Sequence, residues 1–294
     1  AEVEAMVGNT RRAEFLRKHA RKVHRQYNQT FWDAKKGRYI GCIDSHGKVR
    51  DFGFTFVNLE AMAYGLADAK QVRKIYNWME NGASATGRRD IYSKWKFAPR
   101  ATTVRNSTIW RENPNEFNPW WSTDYPGFNY TGRRFSDQIQ DGGTSLYISY
   151  YDIMTRIRFL GIDRTWQRFS EIMKRYSCPD RLSGGPLMYC GENPQHGVPG
   201  SVGTDRPFPE SGAVPASFLY AFIGANAGSA GLRIKPDLPG ELEFAGVENL
   251  YYAGHRYDLR VSRNSVEVVR QSDGKTIERK IRPGGSVLIK PDEK

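Results

Sequence analysis

The sequence lacks the usual marks of a membrane protein, a metalloprotein or a disulfide-rich fold. No apolar run approaches the roughly 20 residues that a bilayer span needs, so we predict no membrane span. The three cysteines, Cys42, Cys178 and Cys190, contain no CxxC pair, which argues against a zinc ribbon and leaves only a Cys178–Cys190 bridge open. The five histidines form no HExxH motif, so we predict no metal site and no cofactor.

A recognisable signal peptide is also missing. The chain opens on AEVEAMVGNT without an initiator methionine. We therefore expect a processed or excised chain, or a part of something longer. The compartment stays open, with a periplasmic or secreted location favoured over a cytoplasmic one.

Acidic residues are few beside basic ones, and the net charge is +12. Much of this charge lies in TRRAEFLRKHARKVHR, residues 10–25. The segment is either a solvated helix face or a surface that attracts a polyanion, such as nucleic acid or an acidic polysaccharide. Because no helix-turn-helix, zinc-finger or RNP pattern accompanies the charge, we predict no nucleic-acid partner.

Hydrophobic periodicity predicts six helices before residue 230, and two kinds of helix alternate. Segments with one apolar stripe are residues 13–27, 70–80 and 163–176, the last with Asp163 as its N-cap. Segments that are apolar nearly all round are residues 54–67, 144–160 and 214–227. Alternating outer and inner helices suit concentric rings of hairpins. We therefore predict a mainly α fold, an (α/α)6 toroid with about three of its hairpins in this chain.

The pattern changes at Gly231 to alternation with a period of two. Turn signals SRN, SDGK and RPGG separate short apolar-polar runs such as YDLRVS and SVEVVRQ. We predict a small antiparallel β domain over residues 231–294, after an incomplete helical domain of catalytic type over residues 1–230.

Aromatic and hydrogen-bonding residues crowd the irregular section before the fourth predicted helix. Flat aromatic faces beside polar groups suit stacking on sugar rings or bases, although a loop packed by its own aromatics would look the same. Donors in the section could hold hydroxyls or a carboxylate. The candidate substrate-binding residues here are Arg100, Arg105, Asn106, Trp110, Trp120 and Trp121.

Carboxylates precede each of the predicted inner helices. Asp51 leads into the first, Asp141 with Gln140 stands before the second, and Glu192 and Glu210 lie in glycine- and proline-rich stretches before the third. Glycosidic cleavage needs one acid and one base or nucleophile. Convergence of these groups at one rim predicts a glycosidase site, whereas each alone could be a helix cap or a surface acid.

Three stretches carry a resemblance to a known family. FWDAKKGRYIGCIDSHGKVRDFGFTFVNLEAMAYGL resembles the outer helix end, β-hairpin and inner helix of six-hairpin glycosidases. QDGGTSLYISYYDIMTRIRFLG and ASFLYAFIGANAGSAGLRIKPDLPGELEFAGVENLYYAGHRYDLRV are similar to the last helices and closing β segment of that group. The nearest kinds are α-L-rhamnosidase and amylo-α-1,6-glucosidase-like enzymes. The resemblance implies hydrolysis of a carbohydrate substrate by two carboxylates, usually with inversion.

The resemblance also implies roles for individual residues. A glutamate before the last inner helix acts as base in the rhamnosidase-like members. Glu192 matches that region, in Tyr-Cys-Gly-Glu where the family has Trp-Glu, and Glu210 lies nearer the helix. Asp141 and Asp51 would bind sugar hydroxyls or assist. With three hairpins instead of six, the chain would be the C-terminal half, and an N-terminal half in another segment or chain would bring the general acid.

Two other functions fit the same residues. A polysaccharide lyase would use Arg100 and Arg105 to neutralise a uronate, with Tyr189 or His196 as base. A non-catalytic glycan-binding or assembly module would bind sugar and release no product.

Overall fold

The computed structural model describes residues 1–51, 53–81, 148–176, 212–228 and 230–290. Helices make up 47% of these residues and strands 25%. The chain divides into two compact units. Unit 1 contains Ala1–Arg25, Arg156–Gln167 and Pro215–Lys294, and unit 2 contains Gln26–Thr155 and Arg168–Val214.

Seven α-helices occur in the described part of the chain. They are α1 Glu2–Met6, α2 Thr10–Phe31, α3 Thr55–Ala63, α4 Ala69–Asn81, α5 Ser149–Phe159, α6 Ile162–Tyr176 and α7 Ala213–Phe218. A π-helical turn, Leu219–Ile223, follows α7 directly. None of the described helices is both long enough and apolar enough to cross a bilayer.

All the strands pair antiparallel and build two hairpins and two sheets. The hairpins are β1 Trp32–Asp33 with β2 Arg38–Tyr39, and β3 Cys42–Ile43 with β4 Val49–Arg50. The three-stranded sheet joins β5 Ala225–Gly228, β6 Gly231–Ile234 and β11 Val287–Ile289 in the order β11-β6-β5. The four-stranded sheet joins β7 Phe244–Tyr252, β8 His255–Ser262, β9 Ser265–Arg270 and β10 Thr276–Lys280 in chain order.

The core of unit 2 comes from helices with different degrees of enclosure. Helix α3 buries Leu59 and Met62 and has few exposed positions. Helix α4 buries a stripe that includes Val72 and Ile75, as a helix with one core-facing side does. A capping box starts α4 at Asp68, whose carboxylate accepts from the Lys70 and Gln71 N–H groups while the Gln71 side chain accepts from the Asp68 N–H.

Buried and exposed residues alternate along the strands of the four-stranded sheet of unit 1, so one face of this sheet lies in a core. On β8, Tyr257, Leu259 and Val261 are buried, whereas the intervening Asp258 and Arg260 lie on the other face. Strand β9 repeats the pattern with Val266 and Val268 buried. A sheet with one buried and one open face is typical of antiparallel architecture.

The predicted mainly α toroid is wrong. Antiparallel strands form a quarter of the described residues, and the described helices do not form a clear toroid. Two hairpins stand between α2 and α3, and seven further strands follow α7. The prediction failed because alternating exposed and enclosed helices report only how much of each helix is buried. Any core that covers a helix on several sides gives the same pattern.

Individual elements follow the sequence more closely. The predicted helices at residues 13–27, 70–80 and 163–176 correspond to α2, α4 and α6. Asp163 is not an N-cap, because α6 begins at Ile162 and the carboxylate lies in its first turn. The helix predicted at residues 214–227 stops at Ile223, and the residues after Gly224 form β5.

Candidate functional site

Asp51 is the one predicted site residue that falls within the described residues. The other ten belong to the stretches 82–147 and 177–211, which lie outside the described residues. These are Arg100, Arg105, Asn106, Trp110, Trp120, Trp121, Gln140, Asp141, Glu192 and Glu210. The alternative lyase bases Tyr189 and His196, and both cysteines of the open bridge, Cys178 and Cys190, lie there too.

The Asp51 carboxylate lies just before α3 and accepts hydrogen bonds on both oxygens. The Arg38 guanidinium approaches it with two nitrogens, Nη1 at 2.8 Å from Oδ1 and Nη2 at 3.0 Å from Oδ2. Lys36 Nζ is 2.6 Å from Oδ2, and the Gly53 N–H donates to Oδ1 at 3.3 Å. The Asp51 side chain is only 3% exposed. Charge-assisted, two-pronged contacts of this kind are among the strongest in proteins.

Aromatic packing holds the arginine side of this cluster. The Arg38 guanidinium lies over the Trp78 ring of α4, 4.6 Å from its centroid. Arg38 stands on β2, and its buried Nε has no hydrogen-bond partner in the part of the chain that the structure describes. A guanidinium stacks on an aromatic face while its edge stays available for hydrogen bonds. Trp78 and Asp51 therefore fix the position of Arg38 together.

The turn between β1 and β2 brings Lys36 and Arg38 to Asp51. Asp33 Oδ1 accepts from the Lys35 and Lys36 N–H groups at 2.9 and 3.0 Å. The Lys36 N–H is the main cause of the lowered pKa of Asp33; burial opposes this effect, and the Lys35 N–H adds to it. Gly37 has φ of +68°, a left-handed conformation that glycine adopts without strain.

Asn58 on α3 ties the hairpin to the helix. Its Oδ1 accepts from the Tyr39 N–H at 2.8 Å, and its Nδ2 donates to the Tyr39 and Phe54 carbonyls at 3.2 and 2.9 Å. The amide thus pairs with both backbone groups of Tyr39, as a neighbouring strand would. Asn58 is fully buried, so these bonds offset the cost of removing its amide from water.

The Tyr39 hydroxyl extends this network to α2 and α4. It donates to Asn28 Oδ1 at 2.7 Å, and Gln71 Nε2 donates to the same oxygen at 2.9 Å. Burial, followed by the negative charge of Asp68, raises the pKa of Tyr39 well above its usual value. The hydroxyl therefore stays protonated and acts as a donor at physiological pH.

A second buried carboxylate lies elsewhere in unit 2, on α5. The Tyr76 hydroxyl donates to Asp152 Oδ1 at 3.1 Å, and Arg168 Nε is 3.8 Å from Oδ2. Asp152 is fully buried, as are Ser149 and Thr155 on the same helix. Buried charges of this kind are paired in folded proteins. Asp152 thereby links α5 to Tyr76 of α4 and to Arg168 of α6.

We call Asp51, Lys36, Arg38, Asn58 and Trp78 the Asp51 cluster. Its geometry supports a role in positioning other groups more readily than a role in catalysis or substrate binding. A carboxylate that already accepts four hydrogen bonds has little capacity left for a sugar hydroxyl or a proton. It fixes the entry into α3 and the place of the half-exposed Lys36 amine. The direct contact of Asp51 with substrate remains a prediction.

Sequence patterns missed Lys36, Arg38, Asn58 and Trp78 as members of this cluster. Arg38 and Lys36 stand in a short hairpin whose register no periodicity reveals. Trp78 falls outside the apolar stripe of α4. This position indicates that its ring has a role other than packing in the helix core.

No group of three or more His, Cys, Asp or Glu side chains with metal-binding geometry occurs among the described residues. Comparison with protein-family models gives no match, and comparison with curated proteins gives none either.

Proposed function

We propose that the chain is part of a glycoside hydrolase that cleaves a glycosidic bond of an oligo- or polysaccharide. Glu192 or Glu210 would activate water as general base, and Asp141 would assist at the same site. The proposal includes inversion at the anomeric carbon and needs no cofactor. The proposal does not include a toroid, and it rests on the carboxylates and on the Asp51 cluster.

The observation that carries the proposal is the polar and aromatic cluster at the entry to α3. Asp51, Arg38 and Trp78 meet at the entry to the buried helix α3, in the stretch where the resemblance implies a β-hairpin followed by an inner helix. Buried polar residues continue along that helix with Thr55 and Asn58. A polar framework that is buried and held in place supports the geometry of a functional site on the elements around it.

The chemistry assigns a separate task to each carboxylate. A base must be ionised to take a proton from water, and an acid must be protonated to give one to the leaving oxygen. Glu192, Glu210 and Asp141 all stand in glycine-rich sequence between helices that the structure describes. A further segment or chain that supplies the general acid is part of the proposal.

Glu192→Gln and Glu210→Gln test the assignment of the base. We expect the variant of the true base to lose about 10²–10⁴-fold in turnover while substrate binding stays within about twofold. Turnover is measured on aryl α-L-rhamnosides, aryl α-glucosides and a panel of oligosaccharides, and binding by calorimetry. Where the full chain alone is inactive, the assay is repeated with the segment that precedes it in the gene product.

Glu243→Gln is the matched control, because this exposed carboxylate makes no ion pair in the described part of the chain. It should leave turnover unchanged. Wild-type turnover in both the Glu192 and the Glu210 variant would exclude them as bases. The absence of any sugar binding or cleavage across the panel would overturn the proposal as a whole.

A polysaccharide lyase is the second candidate, and the exposure of α2 favours it. Residues 10–25 carry seven Lys or Arg side chains and one Glu, and Ala13 is their one buried residue. None of the seven cations forms an ion pair within the described residues. A cationic surface of this kind raises the local concentration of a uronate-containing glycan. Incubation with polygalacturonate decides the matter, because a lyase alone forms an unsaturated product that absorbs in the ultraviolet.

A further inference from the structure

The open face of the four-stranded sheet in unit 1 carries a cavity of about 680 Å³. We call it the sheet cavity. On β8 and β9 the lining residues Asp258, Arg260, Glu267 and Val269 alternate with the buried residues of these strands. The volume lies within the range of small-molecule sites. The lining residues are Phe244, Gly246, Val247, Glu248, Asp258, Leu259, Arg260, Glu267 and Val269.

An exposed aromatic ring and a guanidinium form the flat part of the sheet cavity. Arg260 lies over the Phe244 ring, 4.3 Å from its centroid, and Phe244 is 55% exposed. Arg260 is directly opposite Glu267 in the strand register but forms no ion pair with it. The guanidinium stacks on the ring instead, which leaves its edge free to donate hydrogen bonds.

Gly246 allows β7 to approach the backbone of β8 closely beside Arg260. It is the cross-strand partner of Arg260 on β7. A Cβ at this position would stand 2.6 Å from the Leu259 carbonyl oxygen, so the strand accepts no larger residue without moving. Glycine inside a strand weakens it, and such a position commonly marks a close approach of backbone or ligand.

A bulge in β7 orients one of the carboxylates. The register shifts between Val247 and Leu250, and Asn249 has φ of +59°. The Asn249 N–H and Gln271 Nε2 both donate to Asp258 Oδ1, at 2.9 and 2.8 Å. Asp258 Oδ2 has no hydrogen-bond partner among the described residues. Bulges often re-aim side chains at functional sites, and this one holds one oxygen of Asp258 and leaves the other as an acceptor.

The mixture of charges defines the chemistry of a ligand. Glu248, Asp258 and Glu267 only accept hydrogen bonds when ionised, whereas Arg260 only donates. An anion would meet three carboxylates, and a simple cation would leave the arginine donors unmatched. Hydroxyl groups both donate and accept, so a polyol satisfies both sets. The aromatic and guanidinium platform suits the apolar face of a sugar ring.

We propose that the sheet cavity binds a neutral pyranose unit of a glycan, through residues other than the proposed catalytic carboxylates. The site would hold a polysaccharide chain without cleaving it. This inference goes beyond the proposed hydrolysis and does not depend on which glutamate is the base.

Affinity electrophoresis of the full chain in native gels tests the proposal. The probes are dextran, galactomannan and arabinoxylan, with polygalacturonate as the anionic comparator and poly-lysine as the cationic one. We expect at least one neutral polysaccharide to retard the wild type. Phe244→Ala and Arg260→Met should weaken that retardation by about tenfold or more in apparent dissociation constant.

Two matched variants separate this site from general surface effects. Tyr251→Ala removes another exposed aromatic of β7, and Arg256→Met removes another exposed arginine of β8; neither residue lines the cavity. Both should migrate as the wild type does. All four variants are first checked for an unchanged thermal transition.

Retardation by none of the neutral probes would overturn the inference, and so would equal retardation of the Phe244 variant and the wild type. Retardation by poly-lysine alone would assign the cavity to a basic ligand and would also overturn the inference. Glu192→Gln and Glu210→Gln should keep wild-type retardation, and Phe244→Ala should keep wild-type turnover of small aryl glycosides. A failure of this inference and a failure of the proposed hydrolysis are thereby distinguishable.

Discussion

Two arginine–aspartate pairs share the same two-pronged hydrogen bonding and differ in their surroundings. In unit 2, Arg38 binds Asp51 across 13 residues of sequence, and the two side chains are 11% and 3% exposed. In unit 1, Arg270 binds Asp273 within one turn, through Nε and Nη2, and the Asp273 side chain is 45% exposed. The first pair joins separate elements, whereas the second closes the turn between β9 and β10.

The difference shows why contact geometry does not measure stabilisation. Removing one partner from a buried pair leaves an uncompensated charge in a region of low dielectric, which is strongly unfavourable. Removing one partner from an exposed pair leaves a charge that water solvates well. The buried pair therefore matters for the fold of unit 2, whereas the exposed pair mainly selects a turn conformation.

The largest effect is expected for Asp51→Asn. The change leaves the Arg38 cation buried beside a neutral amide, so we expect a loss of about 3–5 kcal/mol in the free energy of unfolding. Urea denaturation measures it, with Asp273→Asn as the matched change in the exposed pair. Asp273→Asn should lower the midpoint far less. Equal losses in the two variants would show that burial does not separate the pairs.

Asn58→Ala should rank second, because it removes the framework that holds the hairpin beside Asp51. The Tyr39 N–H and carbonyl lose their partner while buried, at about 1–3 kcal/mol for each unsatisfied group. We expect a total loss of about 3 kcal/mol in the free energy of unfolding. Asn77→Ala on α4 is the control, since its hydrogen bond to Asn81 is exposed. A near-neutral Asn58→Ala variant would contradict the bridging role.

Sequence periodicity located most helices and the strands after residue 231, because burial of one face imposes a period that any window of the chain displays. Periodicity failed where a contact between residues far apart in the sequence determines where an element ends. The helix predicted to continue to residue 227 stops at Ile223, and its C-cap Gly224 has φ of +71°. A Cβ there would stand 1.9 Å from the Lys235 carbonyl oxygen of the segment after β6. No local pattern contains that contact, although a glycine at the helix end was a signal for a C-cap.

The candidate site was less predictable than the elements. The sequence indicates Asp51 because this residue precedes an apolar helix. Its partners depend on the register of the β1–β2 hairpin and on a ring from α4. These are products of tertiary packing, so neither spacing nor composition reveals them. Only the full three-dimensional arrangement distinguishes a carboxylate held by four donors from one that is open to substrate.

Lys36→Met sharpens the comparison inside the buried cluster. The Lys36 amine contacts Asp51 Oδ2 at 2.6 Å, but its side chain is 47% exposed. Water screens this pair, so we expect a loss of about 0–1 kcal/mol, far below that of Asp51→Asn. Urea denaturation at low and high salt measures it, and the small loss should shrink further with salt. A loss as large as that of Asp51→Asn would mean that Lys36, and not Arg38, neutralises the carboxylate.

The smallest effect concerns the pH dependence of the exposed pair. The hydrogen bonds from Arg270, and then that from the Lys275 N–H, lower the pKa of Asp273 to about 2. A lowered pKa means that the stabilisation is complete above the ordinary aspartate value near 4 and is lost as the pH falls through about 2. Titration of the Asp273 carboxyl carbon by NMR should give this low value in the wild type. Arg270→Gln should move the pKa up towards 4, whereas Arg256→Gln, on the neighbouring strand, should leave it unchanged. An ordinary pKa for Asp273 in the wild type would mean that the Arg270–Asp273 pair does not form in solution. The two pairs would then differ because only the buried one exists, and not because one is buried and the other exposed.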